Sequence, residues 1–269
     1  MHGIAQRGAR DLSDTWTQAL ELAWPPDAGR PPTLDVPYLA GALSQTRGHL
    51  GADDVPVDLD EAQFLWQAAL EQLDLDDDDA LDEHLAEHAT LGRAVPPALV
   101  DIAGQVDERF AAVLRLTGPA WQGTLREVYR YLNSADVRDE VYRELFRYGD
   151  RPDPDLVIGH SLGSVMAYDV AVHRRDIPRF LTMGSPLGLR TVREHPTLLD
   201  DAADPPPTWV NVYDRADIVA VGKGLAEFWP HIADIEVHNG RDAHGARSYL
   251  GQPDLAAAVA AMAPPRAAS

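Results

Sequence analysis

Cysteine is absent from this chain of 269 residues. Without a thiol the protein has no disulfide bond, no thiolate metal site and no cysteine nucleophile, so nucleophilic catalysis would have to use an oxygen or nitrogen atom. A chain without cysteine also suits a reducing compartment, and we therefore expect a cytoplasmic protein.

Long apolar runs are missing as well. No stretch reaches the roughly 18 residues that a membrane-spanning helix requires, and the opening residues carry Arg7 and Arg10 with no apolar segment behind them. The sequence therefore predicts neither a spanning helix nor a signal peptide, and we expect no stable membrane insertion.

Basic residues are scarce. The chain has 23 Lys and Arg against 43 Asp and Glu, which gives a formal net charge of -20. A phosphate-bearing surface would be repelled by such a charge, which argues against nucleic acid as a partner. Residues 51–90 alone contain fourteen acidic side chains and no Lys or Arg.

The acidic stretch nevertheless contains a helical pattern. Asp58 or Asp60 would serve as the N-cap. The apolar residues that follow recur at helical spacing and are Phe64, Leu65, Ala68, Ala69 and Leu73. We expect a mostly helical, acidic insertion over residues 47–120, with the more charged part on a solvated face.

Patterns typical of short buried strands concentrate in the second half of the chain. They cover residues 155–159, 179–185, 208–214 and 234–239. An apolar helix follows the first of them directly, which predicts a parallel sheet and the α/β class. We also expect an earlier strand near residues 34–40, a helix over 125–149 that is bent or broken near Asn133, and a disordered tail over 263–269.

The segment Gly159-His160-Ser161-Leu162-Gly163 has the form G-x-S-x-G between a strand and a helix. A sharp turn there strains the serine backbone and needs small residues two before and two after it. It also places Ser161 at a helix N-terminus, where the N–H of Leu162 can stabilise charge on an attacked carbonyl oxygen. The alternative is a glycine-serine turn without catalytic function.

A serine nucleophile needs a histidine base and an acid that orients it. In proteins with a G-x-S-x-G turn between a strand and a helix, these residues follow along the chain in the order Ser, acid, His. The acids at a strand end are Asp214 and Asp217, and we favour Asp217; the other would then cap a turn. Among the later histidines, His231, His238 and His244, we favour His244 because it falls in a loop after the last strand. His160 is expected to pack or form hydrogen bonds.

A competing metal motif is present at His84-Leu85-Ala86-Glu87-His88, which matches H-x-x-E-H. Two histidines at this spacing could bind zinc, with the glutamate as base. No third ligand is identifiable, and polar residues on a solvated helix face explain the pattern more simply. We therefore predict no metal and no other cofactor.

Four blocks together carry a resemblance to a known family. They are GHSLGSVMAYDV, FLTMGSPLGL, WVNVYDRADIVA and AHGARSYL, at residues 159–170, 180–189, 209–220 and 243–250. They resemble bacterial α/β-hydrolases of the lipase and GPI-inositol-deacylase-like group, over about residues 121–262. The resemblance implies an α/β-hydrolase fold with Ser161, Asp217 and His244 as nucleophile, acid and base.

The opening HGIAQRG and Trp16 match that group more weakly, at its His-Gly loop. Carried over, His2 and Gly3 would form the loop beside the substrate, and the amide of Ile4 or Ala5 would be the second oxyanion donor. Only Met1 precedes the loop, so the strand that leads into it in the family is missing. We expect that the chain starts upstream or that another segment fills the slot; a chance match at MHGI is the alternative.

The insertion has no counterpart in that group. Insertions at this point in the chain tend to emerge beside the active site, so Phe64, Leu65 and Trp66 are candidates for a lid that contacts the acyl group of the substrate. A rigid acidic decoration is the alternative.

The function expected from these observations is hydrolysis of a small-molecule or lipid carboxylic ester through an acyl-enzyme. Amide or peptide cleavage by the same triad is one alternative. A non-catalytic binding protein of this fold is the other. The oligomeric state cannot be read from the sequence.

Overall fold

A computed structural model describes residues 9–37, 39, 57–75, 78–87, 97–146, 155–174, 177–199 and 206–262. Its described strands are β1 (Val157–His160), β2 (Phe180–Met183), β3 (Trp209–Asp214) and β4 (Ala233–Val237). They form one sheet in the order β1-β2-β3-β4, and every neighbouring pair is parallel. The predicted α/β class with a parallel sheet is thus confirmed, and each of these strands lies within or beside its predicted segment.

The described helices before the sheet are α1 (Ala9–Ala23), α2 (Leu59–Leu73), α3 (Asp78–Glu87), α4 (Pro97–Val106), α5 (Phe110–Thr117), α6 (Pro119–Asn133) and α7 (Ala135–Phe146). Those within and after it are α8 (Leu162–Arg174), the short α9 (Arg190–Arg193), α10 (Ala246–Leu250) and α11 (Pro253–Met262). A 3-10 turn at Pro186–Gly188 precedes α9.

The two faces of the sheet belong to two hydrophobic clusters, because successive side chains of a strand point to opposite faces. Leu181, Met183 and Val212 pack with residues of α1, α10 and α11. Phe180 and Trp209 pack with residues of α2, α5, α6 and α8. Helices therefore flank the sheet on both sides.

The predicted break near Asn133 is confirmed. Helix α6 ends at Asn133 and α7 begins at Ala135, with Ser134 between them in an extended conformation. The Ser134 Oγ accepts a hydrogen bond from the N–H of Val137 at 3.3 Å. Ser134 thus caps the second helix, as serine often does at this position.

The prediction of a strand near residues 34–40 is wrong for the described residues 34–37, which form no strand. The N–H of Leu34 donates to Thr17 Oγ1 at 3.0 Å, and the N–H of Val36 donates to Ser13 Oγ at 2.9 Å. Pro37 has no N–H to donate. Hydroxyl groups of helix α1 therefore take the donors that a neighbouring strand would need.

The region predicted as an acidic insertion is helical over its described part, in α2 to α5. Asp58 is the N-cap of α2 and accepts a hydrogen bond from the N–H of Glu61 at 2.7 Å. The buried face of α2 belongs to the same hydrophobic cluster as α6 and α8. The boundaries of the insertion at 47 and 120 remain a prediction.

A buried ion pair joins α2 to α6. Arg126 Nε lies 2.7 Å from Glu61 Oε1, and both side chains are 5% exposed. A buried carboxylate without its partner is costly, whereas the intact pair offsets much of the cost of desolvation. The pair therefore fixes how the insertion helix sits on the rest of the chain.

None of the described helices is both long and apolar enough to cross a membrane.

Replacement of Arg126 by Met should lower the free energy of unfolding by roughly 3–5 kcal/mol, because it leaves the Glu61 carboxylate buried and without its guanidinium. The exposed pair between Arg215 and Glu236, whose side chains are 73% and 46% exposed, provides the control, and Arg215→Met should change the free energy of unfolding much less. Urea unfolding measures both. Equal losses in the two variants would contradict the role given to the buried pair.

Candidate active site

Ser161 stands in a left-handed backbone conformation between β1 and α8, with a φ of 54°. A residue with a Cβ pays about 1–2 kcal/mol for this conformation, so its neighbours must hold it. The N–H of Ser161 donates to the carbonyl of Met183 at 3.2 Å, at the end of the adjacent strand. The turn thus lifts the serine side chain above the carboxyl edge of the sheet.

Glycine at position 159 makes this turn sterically possible. A Cβ placed there would lie 2.5 Å from Ser164 Cα and 3.0 Å from the carbonyl oxygen of Gly163. Both contacts are with backbone, which cannot rotate away. The first turn of α8 therefore approaches β1 so closely that only glycine fits beneath it.

Ser161, His244 and Asp217 form a continuous hydrogen-bonded chain. Ser161 Oγ lies 2.9 Å from His244 Nε2, and His244 Nδ1 lies 2.9 Å from both carboxylate oxygens of Asp217. The three residues follow β1, β4 and β3 respectively, and the carboxyl ends of parallel strands meet at one edge of the sheet. The structure thus brings together the three side chains that the sequence singled out.

The hydrogen bonds determine which imidazole nitrogen carries the proton. An ionised carboxylate only accepts hydrogen bonds, so Nδ1 of His244 must be the donor to Asp217. Nε2 then has a free lone pair that can accept the proton of the Ser161 hydroxyl. Asp217 is 1% exposed, whereas the His244 side chain is 31% exposed, so the imidazole is open to solvent and the carboxylate is not.

Asp214, the other candidate acid, performs a different task. Its Oδ1 accepts a hydrogen bond from the N–H of Ala216 at 2.8 Å, and its Oδ2 accepts one from the N–H of Asn239. It therefore caps the turn that leads to Asp217, which is the role expected for the acid not chosen.

The remaining histidines are placed elsewhere. His160 is buried, and its Nε2 donates to the carbonyl oxygen of His244 at 2.7 Å. Its ring centroid lies 4.9 Å from that of His244 and 6.1 Å from that of Trp16. It therefore packs and forms a hydrogen bond, as expected, while His231 and His238 are exposed.

Leu162 is the first residue of α8, and a helix leaves its first N–H groups without an intrahelical acceptor. This N–H follows Ser161 directly, in the position proposed for an oxyanion donor. His2, Gly3, Ile4 and Ala5 lie outside the described residues.

Gly184 lies next to the Asp217 carboxylate and the His244 imidazole. Its φ is 56°, and a Cβ there would lie 2.8 Å from Asp217 Oδ2 and 3.2 Å from His244 Nδ1. A side chain at this position would therefore separate the two. Gly184 was not among the predicted site residues, although a glycine inside the predicted strand segment 179–185 was a signal that could have found it.

Tyr249 was missed as well. It is buried, and its hydroxyl lies 2.7 Å from Asp217 Oδ2. Burial, and next the negative charge of Asp217, raise the pKa of Tyr249 far above its usual value. Its position five residues after His244, within the block AHGARSYL, was the available signal.

Two linked serine hydroxyls, those of Ser185 and Ser164, stabilise the turn at Ser161. The N–H of Leu187 donates to Ser185 Oγ at 3.3 Å, and Ser185 Oγ lies 2.7 Å from Ser164 Oγ. Ser164 Oγ in turn donates to the carbonyl of Ser161 at 2.6 Å. These bonds connect the segment after β2 to the nucleophile turn.

The two aromatic candidates for substrate binding contact other helices. The Phe64 ring lies 5.4 Å from that of Tyr129, and the Trp66 ring lies 5.3 Å from that of Phe110. Phe64 also lines a cavity of about 740 Å³ between α2, α6 and α9, and no residue of the triad lines this cavity. The structure does not bring either ring together with Ser161, and the lid remains a hypothesis.

Within the described ranges, no group of three His, Asp or Glu side chains is arranged to hold a metal ion. His84 and Glu87 of the H-x-x-E-H motif lie on α3, and His88 falls outside the described residues.

In comparisons with protein-family models, curated proteins and solved structures, none matches this chain.

Replacement of Gly159 by Ala should cost at least about 1–3 kcal/mol, because the added methyl group overlaps backbone atoms of α8. It should also disturb the turn at Ser161. Gly123, an exposed glycine of α6 with no atom within 4 Å of an added Cβ, is the matched control.

Gly123→Ala should stabilise the protein by about 0.5–1 kcal/mol, since alanine favours the helix. Thermal unfolding of both variants tests the pair. A Gly159→Ala variant as stable as the wild type would refute the close approach of α8 to β1.

Proposed function

We propose that this protein is a serine hydrolase of the α/β-hydrolase type that cleaves carboxylic esters through a covalent acyl-enzyme. The observation that carries the proposal is the hydrogen-bonded chain from Ser161 through His244 to Asp217. The left-handed turn at Ser161 and the chain order Ser, acid, His support it. Under this proposal the parallel sheet is part of an α/β-hydrolase sheet.

The first half of the reaction forms the acyl-enzyme. Ser161 Oγ attacks the carbonyl carbon of the ester while His244 Nε2 takes the hydroxyl proton. The carbonyl oxygen becomes an oxyanion that accepts a hydrogen bond from the N–H of Leu162. When the tetrahedral intermediate collapses, His244 Nε2 returns the proton to the departing alcohol oxygen.

The second half reverses these roles with water. His244 Nε2 takes a proton from a water molecule, whose oxygen attacks the acyl carbon. The bond to Ser161 Oγ then breaks, the serine regains its proton from His244, and the carboxylic acid leaves. Asp217 stabilises the imidazolium in both halves without itself becoming protonated.

The resemblance to lipase-like hydrolases of the GPI-inositol-deacylase-like group favours an ester over an amide, since the triad alone does not select the leaving group. The cytoplasmic location remains part of this proposal. The proposal also includes the amide of Ile4 as the second oxyanion donor. It further includes contact of the substrate with His2, Phe64 and Trp66.

Labelling by a fluorophosphonate probe tests the nucleophile. The wild type should be labelled, and Ser161→Ala and His244→Ala should not be labelled while they keep the wild-type circular dichroism spectrum. Hydrolysis of an ester panel of graded chain length, with matched amides, then identifies the reaction. A protein that is neither labelled nor active would be a binding protein of this fold.

The two aspartates provide a matched pair. Asp217→Asn should reduce kcat on the order of 10⁴-fold, because an amide NH2 facing Nδ1 favours the wrong imidazole tautomer. Asp214→Asn should affect stability more than turnover, since that carboxylate accepts only backbone N–H groups. Steady-state kinetics and unfolding curves of both variants measure this, and the reverse ranking would overturn the assignment of the acid.

A further inference from the structure

The carboxylate of Asp217 is fully enclosed, with 0% of its side chain exposed. Its Oδ1 accepts hydrogen bonds from the N–H groups of Val219 at 2.9 Å and Ala220 at 3.4 Å. Its Oδ2 has one hydrogen-bonded neighbour besides His244 among the described residues, the hydroxyl of Tyr249 at 2.7 Å. The orientation of the carboxylate therefore depends on Tyr249 at one oxygen and on backbone at the other.

The direction of the Tyr249 hydrogen bond is fixed by counting donors. The backbone N–H of Asp214 points at the same hydroxyl oxygen from 3.0 Å and can only donate to it. A phenol has a single proton, which must then go to Asp217 Oδ2. Burial and the charge of Asp217 keep the pKa of Tyr249 far above its usual value, so the hydroxyl stays a donor throughout the working pH range.

Tyr249 is itself held in place. Its ring passes beside Gly184, where a Cβ would lie 3.1 Å from Tyr249 Cε2. The residue is fully buried in the cluster formed by α1, α10 and α11 against the sheet. Since His244 and Tyr249 are separated by only five positions, the same short segment supplies the base and a support for its acid.

We propose that Tyr249 is a positioning residue, which fixes the Asp217 carboxylate against His244 and moderates its negative charge through a donated hydrogen bond. This inference rests on the proposed hydrolase function. Removing the hydroxyl of a positioning tyrosine should have two effects that removing the hydroxyl of a purely structural tyrosine would not have. Loss of the hydroxyl leaves His244 as the remaining described hydrogen-bond partner of Oδ2, which loosens the carboxylate and the imidazole, and it leaves a more concentrated charge facing Nδ1 of His244.

The test variant is Tyr249→Phe, and the matched control is Tyr131→Phe. Tyr131 is also buried, and its hydroxyl also donates to a buried carboxylate, that of Asp169 at 2.5 Å. Each carboxylate loses one phenol donor, and the hydrogen bonds described for Asp169 are with Tyr131 and Tyr142 rather than with the triad. Any difference in chemistry between the variants therefore reports the contact with Asp217.

Tyr249→Phe should lower kcat by about tenfold to a hundredfold, with little change in KM, because the base is displaced from its attacking geometry. The acid limb of the kcat/KM profile should move to higher pH, since the less moderated Asp217 charge stabilises the imidazolium of the free enzyme. Tyr131→Phe should lose thermal stability and leave kcat and the acid limb unchanged.

A second readout does not need catalysis. In a Ser161→Ala background, the NMR titration of the His244 ring, assigned with a His244→Gln variant, should move to higher pH on Tyr249→Phe. If Tyr249→Phe fails to fold, 3-fluorotyrosine at position 249 keeps the shape and strengthens the donor. The titration should then move to lower pH.

The outcomes separate the two proposals. A wild type that is not labelled at Ser161 and hydrolyses no substrate would refute the hydrolase function, while the His244 titration would still test the contact. An unchanged kcat and titration in Tyr249→Phe would overturn the positioning role. Equal losses of kcat in the Tyr249 and Tyr131 variants would also overturn it, because a purely structural effect would explain them.

Discussion

The geometry of the whole site depends on the left-handed turn at Ser161. That turn exists because the first turn of helix α8 lies almost in contact with strand β1, where only Gly159 leaves enough room. The hydroxyl chain of Ser164 and Ser185 and the bond from the Ser161 N–H to Met183 hold the strained residue in place. Strain of this kind persists only where the surrounding structure over-determines it. The neighbouring strand therefore takes part in positioning the Ser161 hydroxyl.

Asp217 and His244 differ in how far they are buried, and this difference matches their different positions in the triad. Asp217 is enclosed, so its charge is tolerated only because backbone N–H groups, His244 and Tyr249 all donate to it. His244 is partly exposed and can exchange protons with water. The backbone of His244 is held in place by His160, whose ring donates a hydrogen bond to the carbonyl oxygen of His244. A carboxylate held by several fixed donors next to an accessible imidazole suits the proposed reaction, in which His244 alone changes its protonation state.

The sequence was sufficient for the four described strands and for the three side chains that the structure brings together. Strand patterns mark where each chain segment ends, and parallel strands place those ends at a common edge, so Ser161, Asp217 and His244 could be chosen before any contact was known. Tyr249 was not chosen, although it lies in the block AHGARSYL, because nothing in that block shows that its hydroxyl meets the Asp217 carboxylate, 32 positions away. The segment at 34–37 was misread for a similar reason. Its β-like composition gives no sign that hydroxyl groups of helix α1 would take its backbone donors.

Polar residues inside the sheet explain how the loop that carries Asp217 keeps its shape. Neighbouring strands align Thr182, Asn211 and Asp234 in register on one face. Thr182 donates to Asn211 Oδ1 at 2.9 Å, and Asn211 Nδ2 donates to Asp234 Oδ1 at 2.8 Å. The Asp234 carboxylate also accepts the N–H groups of Leu225 and Ala226, at the far end of the loop. Asp214 caps the near end. With an apolar residue at position 234 the N–H groups of Leu225 and Ala226 would lose their acceptor, and the loop that carries Asp217 would lose one of the fixed ends between which it is held.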